Sequence, residues 1–238
     1  MRRKVHRHWA WLIALACMGC ANRDRLVVYA DPWMEDYAME MVADFQLSHP
    51  STDVDLKVLS SEVIAQHIHY GQPVDVFLCF GKSWIAGAKD WVGEERALAG
   101  TRLVEVGPRN PDLVRKQDAL GGSGCIVIEA SDRPLRRLSD IWMRLDSTEH
   151  RCTLVANFQR QMEDYLLRGW VSRGLVPEHF AKANAGQLIQ YRQGAWFSGV
   201  FSGILLQDAP HPDLAREFFE QLGAEKSKET LGRLGYLP

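Results

Sequence analysis

The adjacent hydroxyls of Ser60 and Ser61 are the side chains whose placement suggests chemistry most directly. They follow the apolar run Leu56–Leu59 and precede Val63, Ile64 and Ile68, which recur at helical spacing until Gly71 and Pro73 stop the pattern. Serines at a helix start meet unpaired N–H groups and a partial positive charge, a donor set that can hold a small anion. The same residues could equally do no more than cap the helix. Other reactive types fail on spacing. His67 and His69 are two apart, on different faces of a helix, and so do not share a metal ion. His150 and Cys152 lie close together, but no second cluster completes a site. Gly121-Gly122-Ser123-Gly124 lacks the Lys-Ser/Thr of a phosphate loop, and Gly199–Gly203 places its serine wrongly for a nucleophile elbow. No paired motif for acid–base or nucleophilic work is present. The expectation is a protein that is not an enzyme, with no catalytic residues, no metal site and no cofactor.

The elements that must position the serines read as an α/β pattern. Val74–Phe80 is a short apolar run rich in β-formers, so Leu56–Phe80 is strand, helix, strand. Ahead of it, Leu26–Ala30 reads as a first strand broken by Asp31-Pro32. Met34, Ala38, Met41, Val42 and Phe45 then share one helical face up to Ser48-His49-Pro50. Crossover units of this kind imply a parallel sheet, and ligands sit at the carboxyl ends of such strands. Further strands are expected at Arg102–Val106, Cys125–Glu129, Thr153–Ala156 and Gly194–Gly203. A short helix is expected from Arg133 to Ile141. Asn157 is a candidate cap for a helix carrying Met162, Tyr165, Leu166 and Trp170, and Asn184 for one running to Gln193. A closing helix carries Leu214, Phe218 and Leu222.

The amino terminus reads as an export signal. Met1–Gly19 holds Arg2, Arg3, Lys4 and Arg7, no acid, and an apolar run too short to span a bilayer. Gly19-Cys20 resembles a lipoprotein cleavage site, with Cys20 as the lipidated first residue of a membrane-tethered protein facing the periplasm or exterior. Of 28 basic and 30 acidic residues the signal removes four basic ones, which leaves a net charge of −6 and no basic stripe for nucleic acid. Cys79, Cys125 and Cys152 remain. Three thiols cannot all pair; Cys79 reads as a buried thiol, and a Cys125–Cys152 bridge stays open.

The wording of several segments adds a resemblance. The serine pair, Ala65-Gln66-His67-Ile68 and Gly71-Gln72-Pro73-Val74-Asp75-Val76-Phe77 resemble the signature segment of type II periplasmic solute-binding proteins, most closely the molybdate-binding branch. Val27-Val28-Tyr29-Ala30, His211-Pro212-Asp213-Leu214-Ala215 and the ending Gly235-Tyr236-Leu237-Pro238 are similar to the family's opening and close. The resemblance implies two α/β lobes of mixed sheet flanked by helices, joined by two crossing strands that act as a hinge. Lobe 1 would comprise 20–124 and 204–238 and lobe 2 would comprise 125–203, with Cys125–Glu129 marking the first crossing and Ile204–Leu206 the return. It further implies a monomeric substrate-binding lipoprotein that holds a small oxyanion such as molybdate or tungstate and hands it to an ABC permease. The ligand positions it points to are Ser61 and Ser60, with Trp33, Asn157, Asn184 and Ser202. The chain departs from the pattern at several of these. Trp33 stands where the branch has serine, with Asp31 and Pro32 just before it. Gln161-Met162-Glu163-Asp164 stands where the family has a Pro-Ala-Gly turn, putting two carboxylates either near the anion or in solvent. Ser202 stands near the place of a tyrosine ligand. Gly194-Ala195-Trp196-Phe197 is also similar to the iron(III)-binding branch, but that branch's adjacent tyrosines are absent. A sensor or structural protein on an altered scaffold is the reading from another class.

Overall fold

Strands that run parallel and are covered on both faces must be apolar throughout, and Val76–Phe80 is buried at every position. The computed structural model describes residues 25–80, 89–110, 112–113, 125–129, 152–156 and 159–237. The strands are β1 (Arg25–Ala30), β2 (Asp53–Val58), β3 (Val76–Phe80), β4 (Val92–Pro108), β5 (Cys125–Glu129), β6 (Cys152–Ala156), β7 (Arg173–Pro177) and β8 (Leu188–Leu206). The helices are α1 (Glu35–Ser48), α2 (Ser61–His69), α3 (Gln159–Leu167), α4 (Glu178–Ala183), α5 (Pro212–Leu222) and α6 (Glu225–Arg233).

The strands form one open mixed sheet in the order β2-β1-β3-β8-β4-β7-β5-β6. β1 runs parallel to β2 and β3, and β5 runs parallel to β6 and β7. Between these parallel groups lies a long antiparallel ribbon of β4 and β8, running from Val92 opposite Leu206 to Pro108 opposite Leu188. One end of β8, Phe201–Leu205, pairs with β3; the far end of β4, Leu103–Val106, pairs with β7. The ribbon joins the two parallel groups; Ile204–Leu206 lies within it, and Cys125–Glu129 pairs with β6 and β7 beyond it. The expected strand Arg102–Val106 is the second half of β4; Glu94, Glu95 and Arg96 hide the pattern of its first half. Two of these long side chains reach α5, through the Arg96–Glu220 pair at 2.9 Å and the Glu94–Arg216 pair.

Leu26, Val28, Ala30, Val76, Leu78 and Phe80 face α1 and α5, where Tyr37, Met41, Phe45, Phe218 and Phe219 are buried. The opposite face carries Val27, Tyr29, Phe77, Cys79 and Ile204 against Ile64 of α2. Cys79 is the buried thiol expected. The register sets Cys125 opposite Cys152 in neighbouring parallel strands. Asp75 ties the sheet to α5: its buried carboxylate accepts from the Val27 and His211 amides, each at 2.8 Å, and lies 3.1 Å from His211 Nδ1. The carboxyl terminus returns to the ribbon, where Gly100 and Leu237 exchange backbone hydrogen bonds of 2.8 and 2.9 Å.

The helix expected from Asn184 to Gln193 is not formed. Asn184 ends α4 rather than starting a helix, its Nδ2 donating to the Phe180 carbonyl at 3.0 Å, and Leu188–Gln193 is ladder-paired with β4. Strand pairing overrides a local pattern that is compatible with helix. Trp170 lies past the end of α3 and is exposed. Gly121–Gly124, Arg133–Ile141, His150, Asn157 and Cys20 lie outside the described residues.

Candidate functional site

Because β1 and β2 are parallel neighbours, their carboxyl ends lie side by side, and the turns that follow bring Asp31 against Ser61 across thirty residues of sequence. Both are fully buried. Ser61 Oγ donates to Asp31 Oδ2 at 2.7 Å, and the Trp33 amide donates to Oδ1 at 3.0 Å. Burial raises the Asp31 pKa to about 6, partly opposed by the Ser61 hydroxyl and the Trp33 and Ser61 amides. Ser60 is the cap of α2, its side chain accepting from the Val63 amide at 3.5 Å. Of the two serines, Ser60 therefore serves the helix and Ser61 serves an anion, and that anion is the chain's own.

Trp33 forms one wall of a cleft of about 540 Å³ between the start of α1 and helices α3 and α4. Its ring meets Phe180 edge-on at 5.6 Å, and its Nε1, though buried, has no acceptor among the described residues. Its carbonyl accepts from His179 Nε2 at 3.0 Å and from the Tyr236 hydroxyl at 2.5 Å. His179 stacks on Tyr236 with centroids 4.1 Å apart, and burial holds its pKa down to about 3, so the imidazole is neutral. The cleft's charges are mixed. Arg160 pairs with Glu35 at 3.2 Å and Lys182 with Glu178 at 3.3 Å, while Arg233 pairs with Glu40. Glu163 lines the cleft; Asp164 faces solvent and pairs with Arg168 at 3.1 Å.

The structure thus brings Trp33 and Asn184 together in the cleft wall and sets Ser61 with Asp31 at the start of α2. Ser202 is not with them. It is buried in mid-sheet opposite Cys79, and its hydroxyl donates to Glu95 Oε1 at 3.2 Å. Sequence reasoning missed Asp31, His179 and Tyr236. Asp31-Pro32-Trp33 carried a usable signal, since Asp before Pro commonly folds its carboxylate back onto the amide two residues on. A wider hollow of about 790 Å³, lined by Arg96, Leu98, Leu231 and Leu237 among others, contains none of the expected site residues. Among the described residues no three His, Cys, Asp or Glu side chains are grouped to hold a metal ion.

The family model described as "Bacterial extracellular solute-binding protein" matches residues 26–237. The chain belongs to that family. This solute-binding protein is 26% identical over 112 residues to the molybdate-binding protein ModA of Haemophilus influenzae, an alignment covering 45% of this chain and 44% of that one. It therefore spans less than half the length of that curated relative. Its fold matches the periplasmic molybdate-binding protein of Azotobacter vinelandii with a TM-score of 0.67 at 17% identity, over 90% of this chain and 99% of that one. Iron-bound HitA of Pseudomonas aeruginosa matches with a TM-score of 0.65 at 14% identity, over 90% and 86%. These likenesses agree on the type II binding-protein fold, with the molybdate-binding proteins among its structural neighbours. The solute-binding protein's family binds and carries solutes rather than transforming them. Among its described residues no helix is long and apolar enough to cross a membrane.

Proposed function

We propose that this chain is the substrate-binding lipoprotein of an ABC importer for a small oxyanion of the molybdate or tungstate kind. It is anchored by lipid at Cys20, works as a monomer on the outer side of the membrane and delivers its solute to a permease. The observation that carries the ligand class is the donor set around Asp31. The Ser61 hydroxyl and the Trp33 amide converge on the two oxygens of an anion at a helix start, the arrangement that stabilises oxyanions generally. The family places a solute between two lobes, and we assign those lobes to the two ends of the β4–β8 ribbon, with bending of the ribbon closing the cleft at Trp33 and Asn184.

The test is thermal unfolding of the purified protein with molybdate, tungstate, sulfate, phosphate and iron(III) in turn. A solute bound only by the folded state, at about a hundredfold excess over its dissociation constant, adds about 2.7 kcal/mol and raises the midpoint by several degrees. A shift with molybdate or tungstate supports the reading. A shift with iron(III) alone transfers the chain to the iron-type binding proteins. A second reading, a sensor or structural protein on the same scaffold, is favoured by the carboxylate already seated on the donors, and it gains if no ion shifts the midpoint.

A further inference from the structure

We propose that Asp31 is an internal competitor for the anion cradle and thereby the residue that sets this protein's oxyanion affinity. The proposal rests on the oxyanion reading above and deepens it. Three lines of geometry carry it. The carboxylate is fully buried, and among the described residues it makes no ion pair and is met only by neutral donors. Those donors come from two separate segments, the turn after β1 and the first turn of α2, which face each other only because β1 and β2 are parallel neighbours. Finally, the side chain that follows cannot compensate. Trp33 offers its amide to the carboxylate while its indole turns into the aromatic group of Phe180 and His179, so position 33 adds no hydroxyl to the cradle.

An oxyanion that uses the Ser61 hydroxyl must take it from Asp31, because one hydroxyl proton donates to one acceptor. An oxyanion seated beside an unmoved carboxylate would meet like charge at short range with little water to screen it. Occupancy by solute and occupancy by Asp31 are therefore mutually exclusive, and the free protein is held in the self-occupied state.

The experiment is calorimetric titration of molybdate, tungstate and sulfate into wild type, Asp31→Ala, Asp31→Asn and the double variant Asp31→Ala/Ser61→Ala at neutral pH. Asp31→Ala is expected to bind at least about tenfold tighter than wild type, the effect of freeing one charge-assisted hydrogen bond or more. Asp31→Asn, which removes the charge but still fills the space, is expected to fall between them. The double variant is expected to lose the gain. If Asp31→Ala does not fold, Asp31→Asn decides: affinity equal to or weaker than wild type overturns the proposal. Should wild type bind tightly while neither variant improves, the proposal fails and the oxyanion reading stands. Should no variant and no wild type bind any of the three, both fall.

Discussion

His179 offers a quantitative test of how the two ends of the ribbon are held together. It sits on α4, yet its Nε2 donates to the Trp33 carbonyl beyond β1, and its ring stacks on Tyr236 near the carboxyl terminus. Burial lowers its pKa from 6.5 to about 3. An unfolded chain takes up this proton as pH falls below about 6.5, whereas the folded protein does not until about 3, so stability is present above that window and is lost as pH falls through it. Between neutrality and about pH 4.5 the loss from this one group is about 3 kcal/mol. Asp31 acts in the opposite sense. Its folded pKa of about 6 lies above the ordinary 3.8, so the folded state binds a proton first and gains about 2 kcal/mol over the same interval. Wild type shows mainly the small difference between them. Substitution separates the two. His179→Gln keeps a donor for Trp33 but cannot titrate, and relative to wild type it should gain about 3 kcal/mol between neutral pH and about pH 4.5. Asp31→Asn should lose about 2 kcal/mol on the same comparison. Urea unfolding at the two pH values measures both, and midpoints are comparable where the slope m is unchanged. If His179→Gln differs from wild type by the same amount at both pH values, the imidazole is not held neutral by burial and the reasoning is refuted.

Three further outcomes are expected. Asp75→Ala leaves the Val27 and His211 amides without their acceptor and should cost about 2–4 kcal/mol in urea unfolding, with m unchanged; a cost under about 1 kcal/mol would mean the chain relaxes around the loss. Gly199→Ala drives a methyl into the ring of buried Phe80 and should cost about 1–3 kcal/mol by overpacking. Gly186→Ala, with nothing within 4 Å of the added carbon, is the control and should be close to neutral. Cys20→Ser should abolish incorporation of labelled fatty acid and release the protein from the membrane fraction; retention of label would remove Cys20 as the anchor.

Much of the first parallel unit was legible because its signals are local. Val63, Ile64 and Ile68, the stop at Gly71, and the continuous apolar run of β3 each specify an element within a few residues. α5 was legible for the same reason, through Leu214, Phe218 and Leu222. What the sequence concealed depends on distant partners. The charged start of β4 forms strand because it pairs with Gly203–Leu206 of β8, and Leu188–Gln193 forms strand because the other end of β4 lies beside it. The site was half legible. Ser61 stood out by type and position, but its engagement by Asp31 follows from β1 lying next to β2, and the burial of His179 follows from three segments converging on Trp33. Ser202, expected from a count along its strand, is set apart from the other candidates because pairing with β3 places it in mid-sheet opposite Cys79.

The most direct test of anion binding at the α2 start is calorimetric titration of tungstate into Asp31→Ala, where the Ser61 hydroxyl no longer has the Asp31 carboxylate as acceptor, and into Asp31→Ala/Ser61→Ala. One-site binding by Asp31→Ala, weakened about tenfold or more in the double variant by loss of a hydrogen bond to a charged group, is the predicted result. Tungstate binding equally tight in both would contradict it, because the anion would then be held somewhere other than at this cradle.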